Sequence, residues 1–247
     1  MLEKNIYQTN ITDCHTHILP GIDDGSSDIG ETEELLKAEL GMQVKKIVFT
    51  PHFYAHRISV EKFIKKRQEA FEQVLDLIKK DELSDFSEND FILGGEIYFF
   101  PGISKAQELD KLCFNEGEFI LIEMPFAQWD MEIIKEIKNL INDRKKKVII
   151  AHIERFATFQ KDKKAYNELL KLPVIFQINA EGFLEGFFNK RWCHKFINEH
   201  DNVILGSDCH NTKNRVPNLD EALKAIEKKH GREKIEEILK NAERLFE

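Results

Sequence analysis

Along the chain, short runs of apolar and β-branched residues alternate with longer stretches in which apolar positions recur every three or four residues. The first pattern predicts strands near 11–18, 46–52, 90–98, 119–124, 147–153, 174–180 and 202–209. The second predicts helices over 28–40, 60–80, 104–111, 130–143, 162–170 and 189–199, with one or two more across 218–246. Within 60–80, the residues Phe63, Arg67, Ala70, Phe71, Val74, Leu75 and Ile78 fall along one helical face, and Gly41 stands where a left-handed residue would close the first helix. Seven strands with intervening helices can build an open doubly wound sheet or a closed barrel, and periodicity alone does not separate the two. A dinucleotide-binding sheet would show a Gly-x-Gly-x-x-Gly turn after an early strand. Here the first strand ends in His15-Thr16-His17, which fits better with a barrel that gathers its strand ends at one mouth.

Composition narrows the function classes. Lys plus Arg number 36 against 44 Asp plus Glu, a net charge of −8, which argues against a basic nucleic-acid module. With 42% hydrophobic residues the chain can bury a sizeable core, read here as a single domain over 1–247 with 1–10 as an N-terminal extension. No apolar run approaches the roughly 18 residues needed to span a bilayer, and the opening residues, with Glu3 and Lys4, lack a secretory pattern. The expected location is the cytoplasm, without membrane insertion. Cys14, Cys113, Cys193 and Cys209 form no Cys-x-x-Cys pair, so reduced thiols are expected.

The chemistry lies at the strand ends. Five of the nine histidines fall there: His15, His17, His52, His152 and His210. Glu96, Glu123 and Asp208 join them by position, and Asp24 follows the first strand. Residues two apart on a strand point to the same side, so His15 and His17 can hold one cation together, as can Asp208 and His210. Singly, each is more often a structural histidine or a solvated acid. Together, nine such groups without a cation would be costly to bury. Imidazole and carboxylate suit Mn²⁺, Fe²⁺ or Zn²⁺, and nine ligands exceed one ion's needs, so two or three divalent ions are expected. His194, His200 and His230 sit in or beside helices and read as structural; the role of His56 is open.

These residues carry a resemblance. Asp13-Cys-His-Thr-His17 followed by Asp23-Asp24-Gly25, then Thr50-Pro51-His52, Gly95-Glu96-Ile97-Tyr98, Leu121-Ile122-Glu123, Ala151-His152-Ile153-Glu154-Arg155 and Ser207-Asp208-Cys209-His210-Asn211 with Arg215 are similar to the PHP (polymerase and histidinol phosphatase) superfamily. Within it they resemble the bacterial manganese-dependent protein-tyrosine phosphatases of capsular and exopolysaccharide operons. The resemblance implies a distorted (β/α)₇ TIM-like barrel and a trinuclear site. Its ligand sets would be His15, His17, Glu96 and Asp208 for one ion, Glu96, Glu123 and His152 for a second, and Asp24, His52 and His210 for a third. Arg155 and Arg215 would bind phosphate while hydroxide held by the metals attacks phosphorus. The implied substrate is phosphotyrosine on a bacterial tyrosine kinase that regulates polysaccharide synthesis. A small-molecule phosphatase of histidinol-phosphatase type and a noncatalytic metal-binding regulator are the alternatives.

Cys209 and Arg215 match the Cys-x₅-Arg spacing of thiol-dependent tyrosine phosphatases. The intervening His-Asn-Thr-Lys-Asn holds no Gly for a phosphate-cradling loop, so Cys209 is expected to point into packing instead. Glu154 is expected to orient a ligand rather than bind metal. The bulky segment 53–57 implies a distinct substrate mouth, and the aromatic stretch Glu181 to Phe188 is expected to pack beneath a helix.

Overall fold

In a computed structural model, which describes Tyr7 and residues 9–247, every named strand pairing is parallel. Most of the proposed 1–10 extension therefore lies outside the described residues. The strands are β1 (Ile11–Thr16), β2 (Val44–Phe49), β3 (His52–Phe53), β4 (Phe91–Leu93), β5 (Glu96–Tyr98), β6 (Phe119–Glu123), β7 (Lys147–Ile150), β8 (Ile175–Asn179) and β9 (Val203–Gly206). They form one sheet ordered β1-β2-β4 and another ordered β3-β5-β6-β7-β8-β9. Two of the runs read as continuous strands are broken. Pro51, which has no N–H to donate, separates β2 from β3, and Gly94-Gly95 separates β4 from β5. The chain continues directly across both breaks, carrying one sheet into the other. Across the remaining seam, Thr16 pairs with Cys209, the Asp208 N–H donates to the His15 carbonyl at 2.8 Å, and the His17 N–H donates to the Cys209 carbonyl at 3.0 Å. Seven strand positions thus run round a distorted α/β barrel. Gly206 permits this last approach, since a Cβ there would lie 2.5 Å from that of His15.

The helices are α1 (Ile29–Gly41), α2 (Val60–Leu77), α3 (Met131–Asn142), α4 (Lys164–Leu169), α5 (Glu181–Leu184), α6 (Phe187–Glu199), α7 (Leu219–His230) and α8 (Arg232–Glu243). Asp28 and Asp130 cap α1 and α3 by accepting backbone N–H groups of the first turn. Alternation along the strands sorts the apolar residues into two sets. Ile47, Phe49, Ile120, Ile122, Val148 and Ile150 pack with helix residues such as Leu35, Val74, Ile134 and Ile137. Val48, Leu121, Ile149, Ala151 and Ile204 form a second, inner cluster with Leu245 near the C-terminus. No helix among the described residues is long and apolar enough to cross a membrane.

Three expectations are corrected. The segment 104–111 is not an α-helix but two 3₁₀ turns, Ile103–Lys105 and Leu109–Leu112. Gly41 belongs to α1, and the left-handed residue beyond it is Gln43, with φ 64°. In the aromatic stretch only part packs: Phe183 is buried, whereas Phe187 and Phe188 open α6 at 72% and 84% exposure. On α2 the predicted face is buried at Phe63, Arg67, Ala70, Phe71 and Val74, and Leu77 completes it. Arg67 donates to the Gly94 carbonyl at the β4–β5 break, so this helix also fixes the turn that presents Glu96.

Candidate metal centre

The nine proposed ligands come from the ends of six strand positions and are brought together. His52 pairs with Glu96 across β3 and β5, and Glu123 lies opposite Tyr98 across β5 and β6. Glu96 stands in the middle: its Oε2 lies 2.8 Å from His52 Nδ1 and 3.3 Å from Nε2 of both His15 and His17, while Oε1 lies 2.8 Å from His152 Nε2. His152 Nε2 is also 3.6 Å from Glu123. Asp24 Oδ1 is 3.4 Å from His52 Nε2 and 3.7 Å from His210 Nε2. All are buried except Asp24, at the open edge, and His52, which is half-buried.

Outer partners turn the imidazoles. Gln177 Oε1 lies 3.0 Å from His15 Nδ1, Asp23 Oδ2 lies 2.7 Å from His17 Nδ1, and the Asp208 carbonyl lies 2.9 Å from His210 Nδ1. Each acceptor needs a proton on that Nδ1, so each Nε2 of a neutral ring presents a lone pair to the basin. Nε2 of His15 and Nε2 of His17 face each other at 3.1 Å, an arrangement that repels unless a positive charge lies between them. Without a cation a proton must supply it. Burial opposes charging His17, yet Asp23 and Glu96 outweigh burial and raise it to about 10. His210, buried and beside His17, is pushed down to about 3. Burial and the charge of Glu96 lift Glu123 to about 7, while Glu96 is held well below the ordinary range, its burial outweighed by His15 and His52. His210 Nε2, His152 Nδ1, His52 Nδ1 and Glu96 Oε2 are buried without a hydrogen bond of acceptable geometry, although the last two lie close together. A donor set of buried imidazoles and carboxylates with orphaned atoms fits divalent ions.

Ligand atoms within 4.8 Å of one another group as His17, Asp24, His52 and His210; as His15, His17 and Glu96; and as His52, Glu96 and Glu123. These groups overlap the three implied ligand sets, with His17, His52 and Glu96 each shared between two of them and His152 and Asp208 in none. A separate buried trio, Asp13, Glu39 and Cys209, lies outside the basin. The Asp13 and Glu39 carboxyls lie within 4.8 Å of each other, and burial with the charge of Asp13 raises Glu39 well above the ordinary range. Cys209 is fully buried, and burial beside Glu39 and Asp13 pushes its thiol far up, so it does not present a thiolate to Arg215.

Asp208 links the basin to the arginines. Its Oδ2 accepts from Asn179 at 2.8 Å, from Arg155 at 2.9 Å and from Arg215 at 2.6 Å. Its Oδ1 faces Nε2 of His17 and of His15 at 3.5 and 3.7 Å. Asp208 and His152 have φ 55° and 29°, positive values that cost about 1–3 kcal/mol each and persist only where surroundings hold them. The His152 N–H donates to Gln177 Oε1 at 2.6 Å and the Asp208 N–H to the His15 carbonyl, which supplies that hold. Gly25 folds the first loop against His17, where a Cβ would lie 2.1 Å from the His17 carbonyl oxygen.

Asp23, Gln177 and Asn179 were not singled out from the sequence as site residues. Gln177-x-Asn179 at a strand end, with its two-residue spacing, was the available signal. Glu154, expected to orient a ligand, is buried beside Arg155. Its Oε2 is buried without a hydrogen-bond partner, and burial lifts the carboxyl to about 8. His194 and His230 hydrogen-bond to each other away from the centre at 2.9 Å, and His56 lies 5.9 Å from the ring of Tyr54.

A sequence profile of the family described as Capsular polysaccharide synthesis, CpsB/CapC matches residues 11–247. The chain is 30% identical over 237 residues to the tyrosine-protein phosphatase CpsB of Streptococcus pneumoniae, covering 92% of this chain and 93% of that one. It is 28% identical over 243 residues to the tyrosine-protein phosphatase YwqE of Bacillus subtilis, covering 95% and 91%. A crystal structure from a study of YwqE and CpsB, described as metal-dependent tyrosine phosphatases, superposes with TM-score 0.82 at 25% identity over 96% of this chain and 94% of that one. The phosphotriesterase homology protein of Escherichia coli, at 11% identity, shares the fold with TM-score 0.61.

Proposed function

The chain belongs to the capsular polysaccharide synthesis CpsB/CapC family, and from that membership we propose that it is a metal-dependent protein-tyrosine phosphatase. The observation that carries the reading is the convergence of Arg155 and Arg215 on one oxygen of Asp208, whose other oxygen faces the histidine basin. Two guanidinium groups that reach the same oxygen can reach the same phosphoryl group, and each offers directional paired donors that Lys lacks. An arriving phosphate dianion competes with Asp208 for them. A cleft of about 340 Å³ opens onto Arg155, Asp208 and Arg215, giving that anion a way in.

His15, His17, Asp24, His52, Glu96, Glu123, His152, Asp208 and His210 are the proposed ligands, for two or three ions, with manganese the metal expected and iron or zinc the alternatives. Bound divalent ions supply charge to neutralise phosphoryl oxygens and acidify water near neutral pH. Gln177, Asp23 and the Asp208 carbonyl keep Nδ1 of His15, His17 and His210 protonated and their Nε2 atoms available. The substrate is a phosphotyrosine protein, and the family's role in capsule synthesis favours a tyrosine kinase of that machinery. The four cysteines, all free, suit a reducing compartment, and we place the protein in the cytoplasm.

The reading is tested by phosphate release from a phosphotyrosine peptide, the matching phosphoserine peptide and histidinol phosphate, using manganese-loaded protein beside His152→Ala. Phosphotyrosine should be preferred, and the variant, lacking a proposed metal ligand, should lose at least about a hundredfold in rate. Equal rates for the two proteins, or faster turnover of histidinol phosphate, contradict the proposal.

A further inference from the structure

A second cleft, of about 400 Å³, opens beside the same centre; it is bounded by Asp23, Asp24 and His52, by Tyr54, Arg57 and Ile58 of the following loop, and by Phe63 and Lys66 of α2. The His52 ring is 5.2 Å from the Tyr54 ring, and the Arg57 guanidinium lies 4.7 Å from the Tyr54 centroid. The cation is therefore no more than about 10 Å from the metal-centre histidine, a span that roughly three extended residues cover. A turn fixes it there, with the N–H groups of Arg57 and Ile58 donating to the Tyr54 carbonyl at 2.9 and 3.2 Å. Arg57 and Lys66 are exposed, and among the described residues neither has a carboxylate within 4.0 Å. In a chain of net charge −8, these two cations border one cleft beside the centre. The cleft at Asp208 is the more acidic, with Glu181, Glu185, Asp220 and Glu221 around Arg155 and Arg215, whereas the acids of the second cleft, Asp23 and Asp24, face His17 and His52 of the centre. An anionic group flanking the reacting phosphate is repelled there and attracted here.

Resting on the phosphatase reading above, we infer that Tyr54, Arg57 and Lys66 form a specificity subsite for an acidic side chain within about three residues of the substrate phosphotyrosine. The carboxylate of a substrate Asp or Glu lies between the two cations, and the Tyr54 ring supports the intervening chain.

The test uses full-length, manganese-loaded protein and one phosphotyrosine peptide made with Glu, Ala or Lys at the positions one to three residues to either side. Efficiency should fall in the order Glu, Ala, Lys, with a Glu-to-Lys ratio of about five- to tenfold at low salt, as expected of two exposed ion pairs, carried mainly by KM. That ratio should shrink towards one near 1 M salt, where the screening length is about 3 Å. The paired substitution Arg57→Gln/Lys66→Gln should bring the ratio near one, and Arg57→Glu/Lys66→Glu should invert it. Because each ratio is taken within one protein, a general loss of activity cancels. A wild-type ratio near one with the Ala peptide turned over overturns the subsite and leaves the phosphatase reading intact. An unchanged ratio in both variants also overturns it. Failure of wild-type protein to hydrolyse any of the three peptides removes both.

Discussion

Asp208 divides its two carboxylate oxygens between two surroundings: one receives Asn179, Arg155 and Arg215, and the other is turned to His15 and His17. That division could not be read from the sequence, where Asp208 showed only as an acid two residues before a histidine. The ligand candidates were legible because imidazole and carboxylate at successive strand ends form an uncommon pattern. Their supports were not, because Asp23, Gln177 and Asn179 are ordinary residue types whose role depends on which side chain they meet. Gln177 accepts from both His15 Nδ1 and the His152 N–H, so one substitution tests the supporting layer. Gln177→Leu keeps the approximate volume and leaves both donors unpaired. It should weaken Mn²⁺ binding by about ten- to a hundredfold in competition with a chelating dye. Unchanged affinity would show that the histidines orient themselves.

At the scale of elements, the alternation of strands and helices was legible because a parallel barrel buries whole strands and leaves amphipathic helices outside. The interruptions were not. Pro51 and Gly94-Gly95 lie inside apolar runs, and only the three-dimensional path shows that each break swings the next residues, His52 and Glu96, into the centre. The region 104–111 carries a helix-like spacing but folds as two 3₁₀ turns, its local pattern overridden by packing. Helices α6 and α7 meet through His194 and His230, whose rings lie 5.0 Å apart. Burial and nearby Lys229, His230 and Lys190 depress His194 from 6.5 to about 4. Between those values the unfolded chain binds a proton that the folded chain refuses, so stability should fall as pH drops from 6.5 towards 4. His194→Gln should flatten that dependence, worth about 1–2 kcal/mol at pH 5 and a few degrees in Tm, measured on metal-free protein by thermal denaturation at pH 7 and pH 5. A slope identical to wild type would assign the acid sensitivity to other groups.

For the whole molecule, the barrel stacks a dry inner cluster of Val48, Leu121, Ile149 and Ile204 and a buried polar centre built from nearly every strand. The net charge of −8 is compatible with an anionic substrate because cations line the clefts beside the centre: Arg155 and Arg215 in one, Arg57 and Lys66 in the other. The family relationship, the parallel barrel and the basin of histidines and acids lead to a single central claim, that this chain hydrolyses phosphotyrosine only with its cations in place. Its most direct test is to strip the protein with a chelator, verify metal content, and follow phosphate release from a phosphotyrosine peptide while Mn²⁺ is returned in measured equivalents. The account predicts no release from stripped protein and recovery that saturates once two or three ions are bound per chain. Turnover by verified metal-free protein, or metal binding without recovery, would contradict it.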